Sequence, residues 1–170
     1  MEFGTTDSFE LIDAISSSVI LSNSIFFAIP VNFYQLAESD SQILTCFPIL
    51  VQLRPHLKPE NFLEQVQRQR QSGYQLAFLE RDSQVVAVAG FCISECLAWG
   101  RFLYVYDLVV DEAMRSKGYG QDLFEWLIEF AKHHECKQLH LDSGVQRFDA
   151  HRFYLQQRMS ITSHHFLLNL

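Results

Sequence analysis

In the second half of the chain a nearly continuous apolar segment is followed by a segment in which apolar residues recur at helical spacing. Residues 102–110 are almost all apolar, β-branched or aromatic, which predicts a strand buried on both faces. The following segment repeats its apolar residues at helical spacing and predicts an amphipathic helix with a buried side made of Tyr119, Leu123, Trp126, Leu127 and Phe130. A basic turn joins this core strand to this helix, and it consists of Arg115, Ser116, Lys117, Gly118, Tyr119 and Gly120.

The basic turn has the features of an anion-binding site. The start of a helix offers free backbone N–H groups and the positive end of its dipole, and Arg115 and Lys117 add two cations. Gly118 and Gly120 carry no Cβ, so a phosphate can approach the backbone closely there. The turn lacks both the Gly-Lys-Ser/Thr of a P-loop and the third glycine of the dinucleotide fingerprint. An ordinary solvated turn that caps the helix is the alternative interpretation.

The remaining segments also predict strands and helices. In order they are a strand over 31–36, helices over 40–53 and 59–71, a hairpin of strands 74–80 and 84–94, the central strand and helix, a strand over 138–142, a helix over 150–156 and a last strand over 161–168. This order predicts an α/β protein whose mixed sheet is covered by helices on both faces.

Residues 1–30 have the least regular pattern. We predict a single domain over residues 31–170, preceded by an N-terminal extension over residues 1–30, with Pro30 at the boundary. The extension is interpreted either as a poorly ordered segment or as an apolar arm that pairs two subunits in a homodimer.

The composition narrows the class of protein. A chain of 170 residues, 48% of them hydrophobic, is one domain with a substantial core. The formal net charge of −7 argues against a nucleic-acid partner. The apolar run over 19–29 is too short to span a bilayer, so we expect no membrane partner. The four scattered cysteines form no disulfide framework, which favours a reduced, cytoplasmic setting.

Two motifs carry a resemblance to a known family. The Arg-x-x-Gly-x-Gly turn between strand and helix resembles the coenzyme A pyrophosphate loop of the GNAT superfamily of acetyl-CoA-dependent N-acetyltransferases. The segment from Ala150 to Tyr154 is similar to the Ala-x-x-x-Tyr motif that this family carries about one strand and one helix later. The match runs from about Val31 to Leu168. The chain departs from the family pattern at Arg147, where Asn is frequent, and at Arg158-Met159, where Gly-Phe or Gly-Met is frequent.

The resemblance implies a mixed, mostly antiparallel sheet and direct transfer of the acetyl group of acetyl-CoA to an amine. It implies that the basic turn holds the pyrophosphate through backbone N–H groups and cations. The backbone of Leu108, Val109 and Val110 would pair with the pantetheine amides and polarise the thioester carbonyl, whereas plain core packing is the alternative for these residues. Arg147 is carried over as a further contact to the cofactor.

Two residues are candidates for proton transfer. Tyr154 coincides with the family motif and would donate a proton to the departing thiolate, because a phenol is protonated at neutral pH. A packed tyrosine with a satisfied hydroxyl is the alternative. Asp107 is the one charge in an apolar strand, on the same side as Val105 and Val109 if pairing is regular. It would act as the base for the amine, or it would anchor the backbone at a bulge. Asp142 and Glu95 are lesser candidates.

No metal site is expected. His133, His134 and Cys136 lie together at a helix end, but consecutive histidines point in different directions and no further ligands complete the set. The acceptor is expected to be a small-molecule or protein amine, and the acid excess before Arg54 favours a cationic one. The alternative function is an acyl-CoA-binding or sensing module of the same fold without turnover.

Overall fold

The computed structural model describes residues 32–170. The predictions for the N-terminal extension, including its role as a subunit arm and the domain boundary at Pro30, lie outside the described residues and stay predictions. Within the described part, no helix has both the length and the apolar content that crossing a bilayer requires.

Five strands and four α-helices form the fold of residues 32–170. They are β1 (Phe33–Leu36), α1 (Asp40–Leu53), α2 (Pro59–Arg70), β2 (Tyr74–Arg81), β3 (Gln84–Cys96), β4 (Gly100–Val110), a 3₁₀ turn (Glu112–Met114), α3 (Tyr119–His133), β5 (Gln138–Leu141) and α4 (Phe148–Gln156). The sheet order is β1-β2-β3-β4-β5. The first four strands pair antiparallel and β5 pairs parallel with β4. The prediction of a mixed, mostly antiparallel sheet is confirmed.

Local sequence signals account for several of these bounds. Ser39 begins α1 with a capping box, in which its hydroxyl accepts from the Gln42 backbone N–H while the Gln42 side chain accepts from the Ser39 N–H at 2.9 Å. The β2–β3 hairpin turns at Asp82 and Ser83, whose φ angles of +51° and +61° are typical of a two-residue hairpin loop. These short-range signals produce elements within a few residues of their predicted ends.

Helices cover both faces of the sheet. On one face, α1 and α2 bury Ile43, Cys46, Ile49, Phe62 and Val66 against β2 and β3. On the other face, α3 buries Leu123 and Leu127 against Phe91 and Leu103. The two-sided burial explains why residues 102–110 are apolar in nearly every position.

The prediction of a strand over 161–168 is wrong. Among the described residues, no regular element follows Gln156, and residues 160–170 are exposed. The segment carries apolar residues, but a strand also needs a neighbouring strand to bond with its backbone. The segment touches the end of β5 through one side-chain pair, His165 Nδ1 to Asp142 Oδ2 at 3.0 Å, without joining the ladder.

A bulge in β4 also overturns the expected orientation of Asp107. Gly90 pairs with Asp107 and the adjacent Phe91 pairs with Val105, so Tyr106 is an extra residue on β4. Val105 therefore packs on the α3 side, whereas Val109 packs on the side of α1 and α2. Asp107 shares the side of Val109 only, because the extra residue shifts the alternation by one position.

Candidate active site

β4 splays away from its neighbour at the bulge. It pairs with β3 as far as Val110, but with β5 only from Phe102 to Val105. The chain leaves the sheet after Leu141 to reach α4. One edge of residues 106–110 consequently has no strand partner in the described part of the chain, so the backbone groups of this edge beyond Tyr106 are open to a ligand.

The basic turn lies beside this open edge. Gly118 begins α3 with a φ of +90°, and as a glycine it has no side chain that could cap the first-turn N–H groups of that helix. A Cβ on Gly120 would lie 3.2 Å from Val110 Cγ2, so the turn packs closely on the end of β4. Ser116, Lys117 and Gly118 are exposed. The turn thus presents free backbone donors at an accessible helix start.

The turn, the open edge and α4 enclose a cavity of about 850 Å³, called here the α4 cavity. All predicted cofactor residues except Lys117 line it, namely Leu108, Val109, Val110, Arg115, Ser116, Gly118, Tyr119, Gly120 and Arg147, and so does Tyr154. Lys117 points elsewhere, with its Nζ 3.3 Å from Met114 Sδ. Arg152 adds a further cation to the lining. The volume is within the range of small-molecule and cofactor sites.

Tyr154 is held by aromatic packing on α4. Its ring lies 6.3 Å from that of Phe124 and 5.3 Å from that of Phe153, centroid to centroid. No residue in the described ranges hydrogen-bonds its hydroxyl, and the hydroxyl is not among the buried polar atoms that lack a partner. Burial raises the pKa of Tyr154 above its ordinary value, and Arg147 opposes part of that rise. The phenol therefore stays protonated throughout the neutral range.

Asp107 lines a second cavity of about 720 Å³ between β4 and α2, called here the Asp107 cavity. Arg54 Nε donates to Asp107 Oδ1 at 2.7 Å, and the Tyr74 hydroxyl donates to Oδ2 at 3.1 Å. Arg54 also donates to the carbonyl of Tyr106 at 2.9 Å, so the guanidinium clamps the bulge. This arrangement supports the interpretation of Asp107 as a bulge anchor.

Gly90 makes room for this network. An added Cβ at Gly90 would overlap the Tyr74 hydroxyl and lie 2.9 Å from Asp107 Oδ2. Burial, and then the neighbouring Asp107, raise the pKa of Tyr74 well above its ordinary value. Sequence reasoning missed Arg54, Tyr74 and Gly90, because no local spacing connects them with Asp107.

The lesser candidates lie away from both cavities. Asp142 accepts from the Tyr104 hydroxyl at 2.6 Å near the end of β5, and Glu95 is exposed on β3. His134 Nδ1 lies 2.8 Å from the Phe130 carbonyl at the end of α3. Across residues 32–170 no group of three or more His, Cys, Asp or Glu side chains has the arrangement to hold a metal.

Comparisons with known proteins identify the family of this chain. The family model Acetyltransferase (GNAT) family matches residues 35–159. The chain is 34% identical to "Uncharacterized N-acetyltransferase YhdJ" of Bacillus subtilis (strain 168) over 110 residues, which are 64% of this chain and 77% of that protein.

Solved structures share the fold. A transcriptional regulator from Bacillus halodurans C-125 matches with a TM-score of 0.73 at 18% identity, over 82% of this chain and 100% of that one. Ribosomal-protein-alanine N-acetyltransferase from Brucella melitensis biovar Abortus 2308 matches with a TM-score of 0.72 at 16% identity, over 82% of this chain and 99% of that one. At these identities the likeness concerns the fold and leaves the acceptor open.

Proposed function

This chain belongs to the GNAT family of acetyltransferases, and we propose on that premise that its two cavities divide the reaction between them. The protein is an acetyl-CoA-dependent N-acetyltransferase. In our proposal the α4 cavity takes acetyl-CoA and the Asp107 cavity admits the amine. The observation that carries the proposal is that consecutive residues of β4 line the two cavities, Asp107 the one and Leu108 the other.

The donor site fits a diphosphate followed by a chain of amides. The uncapped first turn of α3 offers backbone N–H groups, and Arg115 lines the cavity beside them. Charge-assisted hydrogen bonds of this kind are stronger than neutral ones. The open edge of residues 108–110 supplies backbone donors and acceptors for the pantetheine amides. A backbone N–H of this edge would also polarise the thioester carbonyl.

Tyr154 is the proposed general acid. A thiol has a reference pKa of about 8.5, below that of a phenol, which is about 10. Because burial raises the pKa of Tyr154 further, the hydroxyl keeps its proton until the thiolate departs and can then donate it. Aromatic packing against Phe124 holds the ring toward the cavity and limits its motion.

Asp107 is proposed first as a positioning residue. Both of its oxygens are engaged, one by Arg54 and one by Tyr74, and these bonds hold the bulge that separates the two cavities. Each carboxylate oxygen has a second lone pair, so Asp107 can also accept from the incoming amine. Removal of the amine proton by Asp107, directly or through water, is the second candidate role.

Several finer properties belong to the proposal as well. A reduced, cytoplasmic setting is supported by the free thiols of Cys46, Cys92, Cys96 and Cys136. We propose a metal-free reaction with a small-molecule or protein amine. Pairing of two subunits through residues 1–30 is retained as a proposal, tested by sizing the full chain against one that starts at Val31.

Calorimetry with acetyl-CoA tests the donor site, and two cations of the same turn provide matched variants. Arg115 lines the cavity and Lys117 does not. We expect Arg115→Ala to raise the Kd roughly 10- to 100-fold, since a hydrogen bond to a charged group contributes about 1.5–3 kcal/mol. Lys117→Ala should change it by less than about threefold, as for a screened surface charge.

A thiol-release assay separates the enzyme from the silent alternative. An enzyme releases free coenzyme A when amines are supplied, whereas a binding module saturates with acetyl-CoA and releases none. Absence of any heat on titration with acetyl-CoA, or equal effects of the Arg115 and Lys117 variants, would overturn the assignment of the donor site.

A further inference from the structure

The Asp107 cavity is richer in positive than in negative side chains. We infer that the acceptor is a small-molecule amine that itself carries an anionic group, a carboxylate or a phosphoryl group. The inference rests on the proposed function, because it names the class of acceptor that the same cavity takes. The cavity volume of about 720 Å³ is within the range of small-molecule sites.

The side chains that line the Asp107 cavity carry a net positive charge. Arg54, Arg68 and His56 line the cavity, and Asp107 is the only carboxylate among the described residues that do so. Arg54 already compensates Asp107 at 2.7 Å. Arg68 is therefore a cation that no acid of the lining compensates, and an anion in the cavity would be attracted to it.

Arg68 is available to such an anion. Its partner is Glu64, one turn away on α2, at 2.5 Å, and Glu64 does not line the cavity. The two side chains are 60% and 74% exposed, so the pair is solvent-screened. Exposed pairs of this spacing contribute little to stability, because water and salt screen them. A bound carboxylate or phosphoryl group can therefore replace Glu64 at little cost.

Arg54 also has N–H donors beyond those that its two hydrogen bonds use. It uses Nε for Asp107 and Nη2 for the Tyr106 carbonyl. A guanidinium carries five N–H groups, so further donors remain, and the side chain is 43% exposed. The Arg54–Asp107 pair thus offers cationic donors next to a carboxylate, an arrangement that complements a molecule with both an amine and an anionic group.

Neutral hydrogen-bonding groups extend the site along α2. Gln65 and Gln69 line the cavity one turn apart, about 6 Å along the helix axis, and Ser72 follows the helix. Their amide and hydroxyl groups can donate to an anionic oxygen but supply no negative charge for a polycation. The cavity is thus arranged for an ammonium group at Asp107 and an anionic group along α2.

The local charge differs from that of the whole chain. The acid excess that favours a cationic acceptor in the sequence includes Glu2, Asp7, Glu10 and Asp13, which lie outside the described residues. Ligand selection depends on the potential inside the cavity rather than on net charge. The described lining therefore argues for the opposite preference, toward an amine with a negative group.

Matched pairs of amines test the inference. The probes are ethanolamine against phosphoethanolamine, glucosamine against glucosamine 6-phosphate, tyramine against tyrosine and histamine against histidine, with spermidine as a cationic acceptor. We expect kcat/KM at least tenfold higher for the anionic member in the phosphoryl pairs, the carboxylate pairs or both, and which of these respond identifies the anionic group. Calorimetry with the same amines in the presence of coenzyme A measures binding without turnover.

Three variants on α2 localise the effect. Arg68→Gln should lower kcat/KM for the preferred amine about tenfold and leave the Kd of acetyl-CoA unchanged. Arg70→Gln is the control, because Arg70 bonds the Glu38 carbonyl at 2.9 Å and does not line the cavity. Glu64→Gln should have the opposite sign and lower KM about twofold, because it removes the anion that competes for Arg68.

The outcomes separate the two proposals. Three results would overturn the inference even if acetyl-CoA binds and the donor site stands. They are a preference for the neutral member of each pair or for spermidine, equal effects of the Arg68 and Arg70 variants, and no binding by any amine. Failure to bind acetyl-CoA would overturn the proposed donor site. In that case calorimetry of the amines with the free protein still tests the inference. Tighter binding of the anionic member of each pair, lost in Arg68→Gln, would support it, and equal binding of both members would overturn it.

Discussion

Replacing Gly90 with alanine tests the network that holds the β4 bulge. Gly90 lies opposite Asp107 in the sheet. An added Cβ would overlap the Tyr74 hydroxyl and lie 2.7 Å from Tyr74 Cζ and 2.9 Å from Asp107 Oδ2. Favourable contacts between carbon atoms need about 3.5–4.0 Å. We therefore expect Tyr74 to be displaced and its hydrogen bond to Asp107 to break.

The expected loss of stability follows from these contacts. Overpacking a core costs about 1–3 kcal/mol, and a lost hydrogen bond to a charged group costs about 1.5–3 kcal/mol. Replacing glycine by alanine within a strand stabilises the folded state by roughly 0.5–1 kcal/mol, because alanine loses less backbone entropy on folding. The free energy of unfolding should fall by about 2–5 kcal/mol, which lowers Tm by about 5–20 °C for a domain of this size.

Urea unfolding of a double-mutant cycle is the decisive assay. Tyr74→Phe removes the hydroxyl that the new Cβ overlaps, so the cost of Gly90→Ala should shrink by at least about 1 kcal/mol in that background. Gly100→Ala is the control. Its cost is backbone strain at a φ of +66° with open space around the Cβ, so Tyr74→Phe should leave it unchanged. Costs of Gly90→Ala and Tyr74→Phe that add within about 0.5 kcal/mol would refute the proposed overlap.

The remaining predictions concern the reaction. Tyr154→Phe should lower kcat by about 10²–10⁴-fold and leave the Kd of acetyl-CoA unchanged, whereas unchanged turnover would remove the acid role. Because burial raises the pKa of Tyr154 above its usual value of 10, loss of activity through deprotonation of this group should have its midpoint above pH 10, and the pH–rate profile checks this. Asp107→Asn should lower the free energy of unfolding by about 1–3 kcal/mol as an anchor. Lost kcat at unchanged stability in urea would instead identify Asp107 as the base.

Features encoded by neighbouring residues could be predicted from the sequence. The basic turn is contiguous, so Arg115, Gly118 and Gly120 predict anion binding without knowledge of the fold, and the structure places Arg115, Gly118 and Gly120 beside the α4 cavity. The α1 cap is likewise local, because it joins Ser39 and Gln42, three residues apart. Tyr154 could be predicted as a site residue only from the family resemblance, because nothing in the residues around it indicates that α4 faces the end of β4.

Contacts between distant segments could not be predicted. Arg54 and Asp107 are 53 residues apart, and Tyr74 and Asp107 are 33 residues apart. Their pairing depends on the end of α1 and on β2 lying against one point of β4, which local patterns do not specify. The direction of the Lys117 side chain could not be predicted from the sequence either. Positive φ angles at Ser116 and Gly118 set the course of the turn, and Lys117 lies outside the cavity despite its charge.

The extra residue in β4 connects the fold with the proposed reaction. Without Tyr106 as a bulge, regular alternation would place Asp107 on the side of Val105, among the apolar residues under α3, where a carboxylate would have no partner. With the bulge, Asp107 faces Arg54 and Tyr74, while the backbone beyond it has left β5. One inserted residue therefore turns the acid toward the proposed acceptor side at the same point where the strand opens its edge to the proposed donor site. This coincidence explains why consecutive residues of one strand line both cavities.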